Sequence, residues 1–234
     1  MIAEEGAPER RRRGAPRDLS ADRDRALALI PVSRETAERL DAFVAVLLAW
    51  QQRINLIAAS TEEHLWTRHV ADSLQLLTLA PQARVWVDLG SGGGFPGLVI
   101  ACALAQVPGA QMHLVESNAK KAAFLREAAR ASGTPVSVHG CRIEDFLKAP
   151  PHAVDVVTAR ALAPLPALLA YAYPLLKTGT LGLFPKGRDV ERELTEAAKY
   201  WNIQASLALS RTDPKARIVV VRGLEPKSRS GSRA

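Results

Sequence analysis

Five glycines fall within eight residues of the stretch VWVDLGSGGGFPGL, Val85 to Leu98. The run is apolar up to Asp88 and then gives up its side chains, which is the pattern of a strand leaving a sheet through a tight turn into a helix. Such a turn lets a ligand approach bare backbone and meet the free N–H groups of the helix start, so it suits nucleotide-like molecules. It also restricts the fold, because a strand feeding a helix in this way opens a βαβ unit. The downstream sequence agrees. VWVD, MHLVE, VSVH, VDVVTA and TLGLF are short strand-like runs, with helical stretches such as Lys120 to Ser132 between several of them. That alternation predicts a parallel sheet covered on both faces. IQASLAL and ARIVVV, separated by the polar SRTDPK, predict a closing antiparallel hairpin.

The residues before the first strand read as helices. SRETAERLDAFVAVLLAWQQRINLI predicts an amphipathic helix capped by Ser33, with Leu40, Phe43, Val44, Leu47 and Leu48 on one face. A second helix is predicted from about Thr61 to Leu79, closed by Pro81. The fold class is therefore α/β, a Rossmann-like doubly wound sheet with an N-terminal helical extension. A chain of 234 residues, 47% hydrophobic, supports one main core. The expected domain runs over 31–222, with its helical cap at 31–80, a disordered leader at 1–30 and a basic disordered tail at 223–234.

Charge and cysteines narrow the function classes. The net charge is +7, and residues 211 to 234, with seven basic and two acidic side chains, supply most of it. A short polar tail of that kind could track phosphates. No apolar run reaches the roughly 18 residues of a membrane span, and the N-terminus shows no apolar signal-peptide core. A cytoplasmic protein without a membrane partner is expected. Cys102 and Cys141 stand far apart, with no histidine at ligand spacing, so neither a disulfide framework nor a metal site is expected.

Which ligand the turn takes is decided less by glycine than by the acid in front of it. Gly92, Gly94 and Gly97 satisfy GxGxxG, a pattern shared with dinucleotide-binding proteins. Asp88, two residues before Gly90, would lie beside a pyrophosphate and repel it. S-adenosylmethionine has no phosphate and carries a cationic sulfonium and ammonium, so the same acid favours it. Glu116, at the end of MHLVE, is placed to accept hydrogen bonds from both ribose hydroxyls, a role NAD enzymes share. Ile143 and Glu144, in GCRIEDF, fall at the edge where an adenine would lie.

The acceptor side carries fewer marks. Arg160 ends the fourth strand-like run and faces the crevice, where a guanidinium could pair with a carboxylate, a guanine edge or a phosphate. Lys186, in FPKG, points to the same rim. In TRHVADS, Arg68 and Asp72 stand at i, i+4 with His69 a turn from Asp72 and Ser73, the spacing of a local salt bridge and a satisfied histidine. VDVVTARALAPLPALL holds no cysteine nucleophile for a pyrimidine carbon. It also lacks the (Asn/Asp)-Pro-Pro-aromatic loop used on exocyclic amines. An acceptor with a free lone pair, such as guanine N7, needs neither. A methyltransferase of a small acceptor, a nucleotide-dependent oxidoreductase disfavoured by Asp88, and a non-catalytic RNA-binding protein remain as alternatives.

Taken in order, W-x4-NL at Trp50 to Leu56, RHVADSL, VDLGSGGGFPGL, HLVES, RIED, ARA and PKG resemble the bacterial RsmG family, also called GidB, over roughly Ser33 to Val221. The resemblance implies a seven-stranded S-adenosylmethionine-dependent methyltransferase fold with added N-terminal helices. It implies methyl transfer to N7 of one guanine in the decoding-centre loop of 16S rRNA, with the small ribosomal subunit as partner; a monomer is expected, although the sequence does not say whether a dimer forms. By position, Gly90, Phe95, Ile143, Glu144 and Arg160 match the family's donor-binding places, joined by Asp88, Gly92 and Glu116. Arg160, Lys186 and His69 form the expected catalytic set, and Arg68, His69 and Lys186 lie near the RNA-facing mouth. The chain departs from the family at Gln51, where many relatives have asparagine, and in GSGGGFPG, where others carry a threonine and a proline. The leader and tail have no clear counterpart.

Overall fold

The computed structural model of the chain describes residues 18–227. Seven strands form one sheet in the order β3-β2-β1-β4-β5-β7-β6. They are β1 Val85–Leu89, β2 Gln111–Val115, β3 Ser137–His139, β4 Val156–Thr158, β5 Leu181–Lys186, β6 Trp201–Leu209 and β7 Arg217–Pro226. The first five run parallel, and β7 is antiparallel to both β5 and β6. Strand order reverses between β1 and β4, so a crevice opens there outside their carboxyl ends. The register Lys186↔Arg217↔Leu209 brings the β6–β7 turn to this same edge.

Alternation along the buried strands feeds two cores. Trp86, Leu114, Leu183 and Val220 face α2 Arg34–Gln51, α4 Gly97–Leu104 and α5 Ala119–Ala131. Val87, Val115, Phe184 and Val219 face α7 Leu165–Leu176 and α8 Val190–Ala197. Because side chains alternate with period two, Asp88 shares the face of Trp86 and is carried into the first core, fully buried. Ser33 caps α2 by accepting from Thr36 N, and Leu40, Phe43, Val44 and Leu47 are buried as the periodicity requires; Leu48 is half-buried against the same core.

Two expected boundaries move. The leader expected to be disordered over 1–30 contains α1, Ser20–Leu29. Its sequence, SADRDRALAL, looks too polar to pack, yet its polar groups have distant partners. Asp22, 6% exposed, accepts from Trp66 N at 2.8 Å, Thr67 N at 3.2 Å and Thr67 Oγ1 at 2.7 Å. Arg23 grips Asp41 through two bonds of 2.7 Å. Residues 1–17 of the expected leader lie outside the described residues. At the other end β7 continues through Gly223–Pro226, paired with Trp201–Gln204, so residues 223–226 of the expected tail are strand; residues 228–234 lie outside the described residues.

The helix expected over Thr61 to Leu79 is divided. A 3₁₀ segment, Ala59–His64, precedes a π-helical turn, Trp66–Ala71, then α3, Asp72–Leu74, and a second 3₁₀ segment, Gln75–Leu79. Asp22 accounts for the break, since it takes the N–H groups of Trp66 and Thr67 that would otherwise bond to the preceding turn. A wide π turn at residues 66–71 is of the kind found at functional sites.

Candidate active site

A cavity of about 780 Å³ opens at the carboxyl ends of β1, β4 and β5. Its floor is the glycine turn. Gly90 and Gly92 adopt φ of +69° and +51°, a region that side chains disfavour. A Cβ on Gly90 would also stand 2.6 Å from Leu162 Cδ1, so the turn passes that wall with no room for a side chain. The Gln51 departure is accommodated in full. Its Oε1 accepts from Leu56 N and Ile57 N, and its Nε2 donates to Ile57 O, which fastens the loop bordering the cavity.

Asp88 sits beneath the turn. Its Oδ2 accepts from Gly97 N at 3.2 Å, fixing the start of α4, while Oδ1 is buried with no hydrogen-bond partner. Burial pushes its pKa up to about 7, against the opposing pull of the Gly97 hydrogen bond and the charge of Arg160. The carboxylate does not line the cavity. Asp88, expected among the donor-binding residues, therefore lies beneath the turn rather than on the cavity wall, because strand alternation turns it into the core. Glu116, expected at the ribose, does line the cavity. Its Oε2 accepts from Gly92 N at 2.9 Å and its Oε1 from Asn118 N at 2.7 Å. Asn118 in turn caps α5 through Lys120 N and Lys121 N. Ile143 and Glu144 open the short helix α6, Ile143–Phe146, on the cavity wall near Glu116.

Arg160 follows β4 and is the centre of the opposite wall, its side chain 17% exposed. Its Nη2 meets His69 Nδ1 at 2.6 Å, and its Nη1 donates to Arg68 O at 3.1 Å and Asp72 Oδ2 at 3.3 Å. The guanidinium also lies 5.1 Å over the ring of Phe95, which packs against His69 at 5.0 Å. The next residue, Ala161, holds φ +55°, a position a non-glycine residue keeps only when its surroundings impose it.

The chemistry of His69 follows from these contacts. A guanidinium can only donate, so Nδ1 accepts, and the proton of the neutral ring sits on Nε2, which donates to Thr61 Oγ1 at 2.8 Å. Burial, then the charges of Arg160 and Arg68, lower its pKa to about 3. His69 is thus a neutral support for Arg160 with both nitrogens engaged. Lys186 lines the cavity, but its Nζ is held by Glu193 at 2.7 Å and Ala163 O at 2.9 Å. Glu193 also accepts from Leu165 N at the start of α7.

The local pair expected between Arg68 and Asp72 does not form. Arg68 reaches Asp213 at 2.9 Å, and Asp72 binds Arg160, Gln75 and Thr212. The π turn and the nearby β6–β7 loop offer these partners, which i, i+4 spacing does not reveal. The structure thus brings Phe95, Gly90, Gly92, Glu116, Ile143, Glu144, Arg160, His69, Arg68 and Lys186 to one cavity and leaves Asp88 beneath it. Thr61, Asp72, Leu162 and Thr212 also line this cavity as partners or walls. Of these, Asp72 carried a signal, its place in RHVADS. Among the described residues no group of three or more His, Cys, Asp or Glu is arranged to hold a metal, and no helix is long and apolar enough to cross a membrane.

Comparison with known proteins shows what the chain is similar to. The family described as rRNA small subunit methyltransferase G matches residues 36–218. A protein named ribosomal RNA small subunit methyltransferase G from Bradyrhizobium sp. strain BTAi1 is 59% identical over 211 residues, covering 90% of this chain and 95% of its own length. Its namesake from Nitrobacter hamburgensis is 59% identical over 210 residues, covering 90% of this chain and 81% of its own. Among solved structures, an O-methyltransferase from Bacillus cereus in complex with SAH superposes with a TM-score of 0.58 at 15% identity, over 87% of this chain and 98% of that one. The last likeness concerns the fold alone.

Proposed function

The chain belongs to the rRNA small subunit methyltransferase G family, and from that premise we propose that it transfers a methyl group from S-adenosylmethionine to N7 of a guanine in the decoding-centre loop of 16S rRNA. The donor fits the residues present. The glycine turn lines the cavity with bare backbone at Gly90 and Gly92, and the orphaned Asp88 Oδ1 supplies a buried acid beneath it for the donor's cationic groups. The carboxylate of Glu116 keeps a free lone pair on each oxygen for ribose hydroxyls. Ile143 and Glu144 border the adenine, Phe95 walls the methionine end, and Arg160 meets the donor carboxylate or the acceptor base. When bound, the donor supplies an electrophilic methyl group on a positively charged sulfur.

The observation that carries the acceptor reading is the state of His69, Lys186 and Arg160. His69 has both nitrogens engaged and stays neutral to about pH 3, Lys186 is locked to Glu193, and Arg160 can only donate. None of the three is set to take a proton. Guanine N7 carries a lone pair and no proton at neutral pH, so accepting a methyl there requires positioning without a base. Arg160 and His69, stacked around Phe95, supply that positioning. We place the enzyme in the cytoplasm, as a monomer with the small ribosomal subunit as partner; the basic side chains of residues 223–234, of which 228–234 lie outside the described residues, add charge for RNA.

The test uses small subunits from a strain lacking the gene and from the same strain carrying it. Labelled methyl from S-adenosylmethionine should enter 16S rRNA of the first and not of the second, whose site is already modified. Equal labelling of both, or of neither, would contradict the proposal.

A further inference from the structure

Three side chains of one helical face reach across to the β6–β7 turn. Arg68, Asp72 and Gln75 stand at i, i+4 and i+7. Arg68 pairs with Asp213, Asp72 Oδ1 accepts from Thr212 Oγ1 at 2.9 Å, and Gln75 accepts from Arg211 N at 2.8 Å and donates to Ser210 Oγ at 3.3 Å. The same carboxylate of Asp72 uses its other oxygen on Arg160. Ser210, Thr212 and Asp213 line the cavity on the side away from the glycine turn. Neighbouring strands lie about 4.8 Å apart, so the ends of β5 and β7 stand roughly 10–15 Å from β1, beyond the reach of the donor's floor.

We propose that Asp72 is a positioning residue that couples the β6–β7 turn to Arg160, and that residues 210–213 therefore belong to the acceptor side of the site. This rests on the methyl-transfer reading of the cavity. One carboxylate with two occupied oxygens has a fixed orientation. Oδ1 also accepts from Gln75 Nε2 at 2.7 Å, and Gln75 is itself bound to Ser210 and Arg211. If Thr212 stops donating, Oδ1 keeps only the Gln75 bond, the carboxylate settles toward Gln75, and the 3.3 Å contact to Arg160 is the one that yields. The reverse also holds: acceptor RNA that displaces Thr212 moves Arg160, which ties guanidinium placement to acceptor binding. Donor binding at Gly92 and Glu116 lies outside this linkage.

Thr212→Val removes the hydroxyl with little change of volume, and Thr212→Ser restores it. The Arg160 Nε–Hε resonance, assigned through an Arg160→Lys sample, should shift in Thr212→Val and return in Thr212→Ser. Labelling of small subunits should show kcat reduced about fivefold to tenfold in Thr212→Val, with calorimetric affinity for S-adenosylhomocysteine and melting midpoint close to wild type, and kcat restored in Thr212→Ser. An unmoved Arg160 resonance or an unchanged kcat would overturn the coupling, and a loss of donor affinity in step with kcat would overturn the assignment of residues 210–213 to the acceptor side. If the wild type itself labels no subunit, the acceptor reading fails while the resonance still decides the coupling.

Discussion

Adding one methyl group at Gly97 and one at Gly92 should have opposite consequences, although both lie in the same eight-residue turn. A Cβ on Gly97 would stand 2.5 Å from Leu114 Cδ2, 2.6 Å from Asp88 Oδ2 and 2.7 Å from Asp88 Cβ. These neighbours are fully buried. Overpacking of this kind costs about 1–3 kcal/mol, and shifting α4 to relieve it weakens the Gly97 N–H bond to Asp88, worth about 1.5–3 kcal/mol with a charged acceptor. Alanine's better helix propensity returns up to about 1 kcal/mol. The net loss for Gly97→Ala is about 2–4 kcal/mol, or a fall in melting midpoint of roughly 5–15 °C for a chain of this size. At Gly92 the nearest heavy atom to a Cβ is Gly90 O, at 3.7 Å. Steric cost within the protein is absent, and the left-handed φ of +51° costs about 1–2 kcal/mol. The new methyl would instead crowd the donor, weakening affinity about 5- to 150-fold if the same 1–3 kcal/mol applies at the ligand. Thermal melts and calorimetry with S-adenosylhomocysteine measure both. A Gly97→Ala protein as stable as wild type, or a Gly92→Ala protein that binds the donor normally, would refute the reasoning.

Other perturbations follow from single contacts. Asp22→Ala strands two buried N–H groups and the Thr67 hydroxyl, so it should cost about 2–4 kcal/mol and release α1, seen as faster hydrogen exchange over residues 18–30; unchanged exchange would remove its anchoring role. Asp88, with its carboxyl raised from 3.8 to about 7, is protonated in the free protein below pH 7, and the penalty its burial imposes on stability is lifted progressively as pH falls from about 7 to 3.8. A cationic donor favours the ionised form, so donor affinity should fall by up to about tenfold per pH unit below 7, with a proton released on binding at pH 6 and no such dependence in Asp88→Asn; equal affinity at pH 6 and 8 would contradict this. His69 acts in the opposite sense on stability, its buried neutral ring costing progressively more from pH 6.5 down to about 3. Arg160→Lys keeps a charge but cannot hold His69, Arg68 O and Asp72 in one plane, and should lower methyl transfer about 100-fold or more while the melt is retained.

The sheet was legible because its strands are short, apolar and separated by clear turns, and the glycine turn announced where the crevice would be. What lies far apart in sequence was not. Nothing in SADRDRALAL indicates that Asp22 will cap a helix 44 residues away, so the segment read as leader. Arg68 and Asp72 had helical spacing, but the π turn and the 210–213 loop supplied better partners. Asp88 was identified by its position before the glycines, and its burial beneath the turn follows from the period-two alternation already visible in VWVDL. The commitment of His69 to Arg160 and Thr61 depends on three segments meeting, which local spacing cannot report.

The most direct test of the account is the identity of the methylated nucleoside. Small subunits from a strain lacking the gene are incubated with this protein and labelled S-adenosylmethionine, the 16S rRNA is digested to nucleosides, and the label is located by chromatography. The account predicts label in 7-methylguanosine. Label in any other nucleoside would contradict the reading of a site that works without a base.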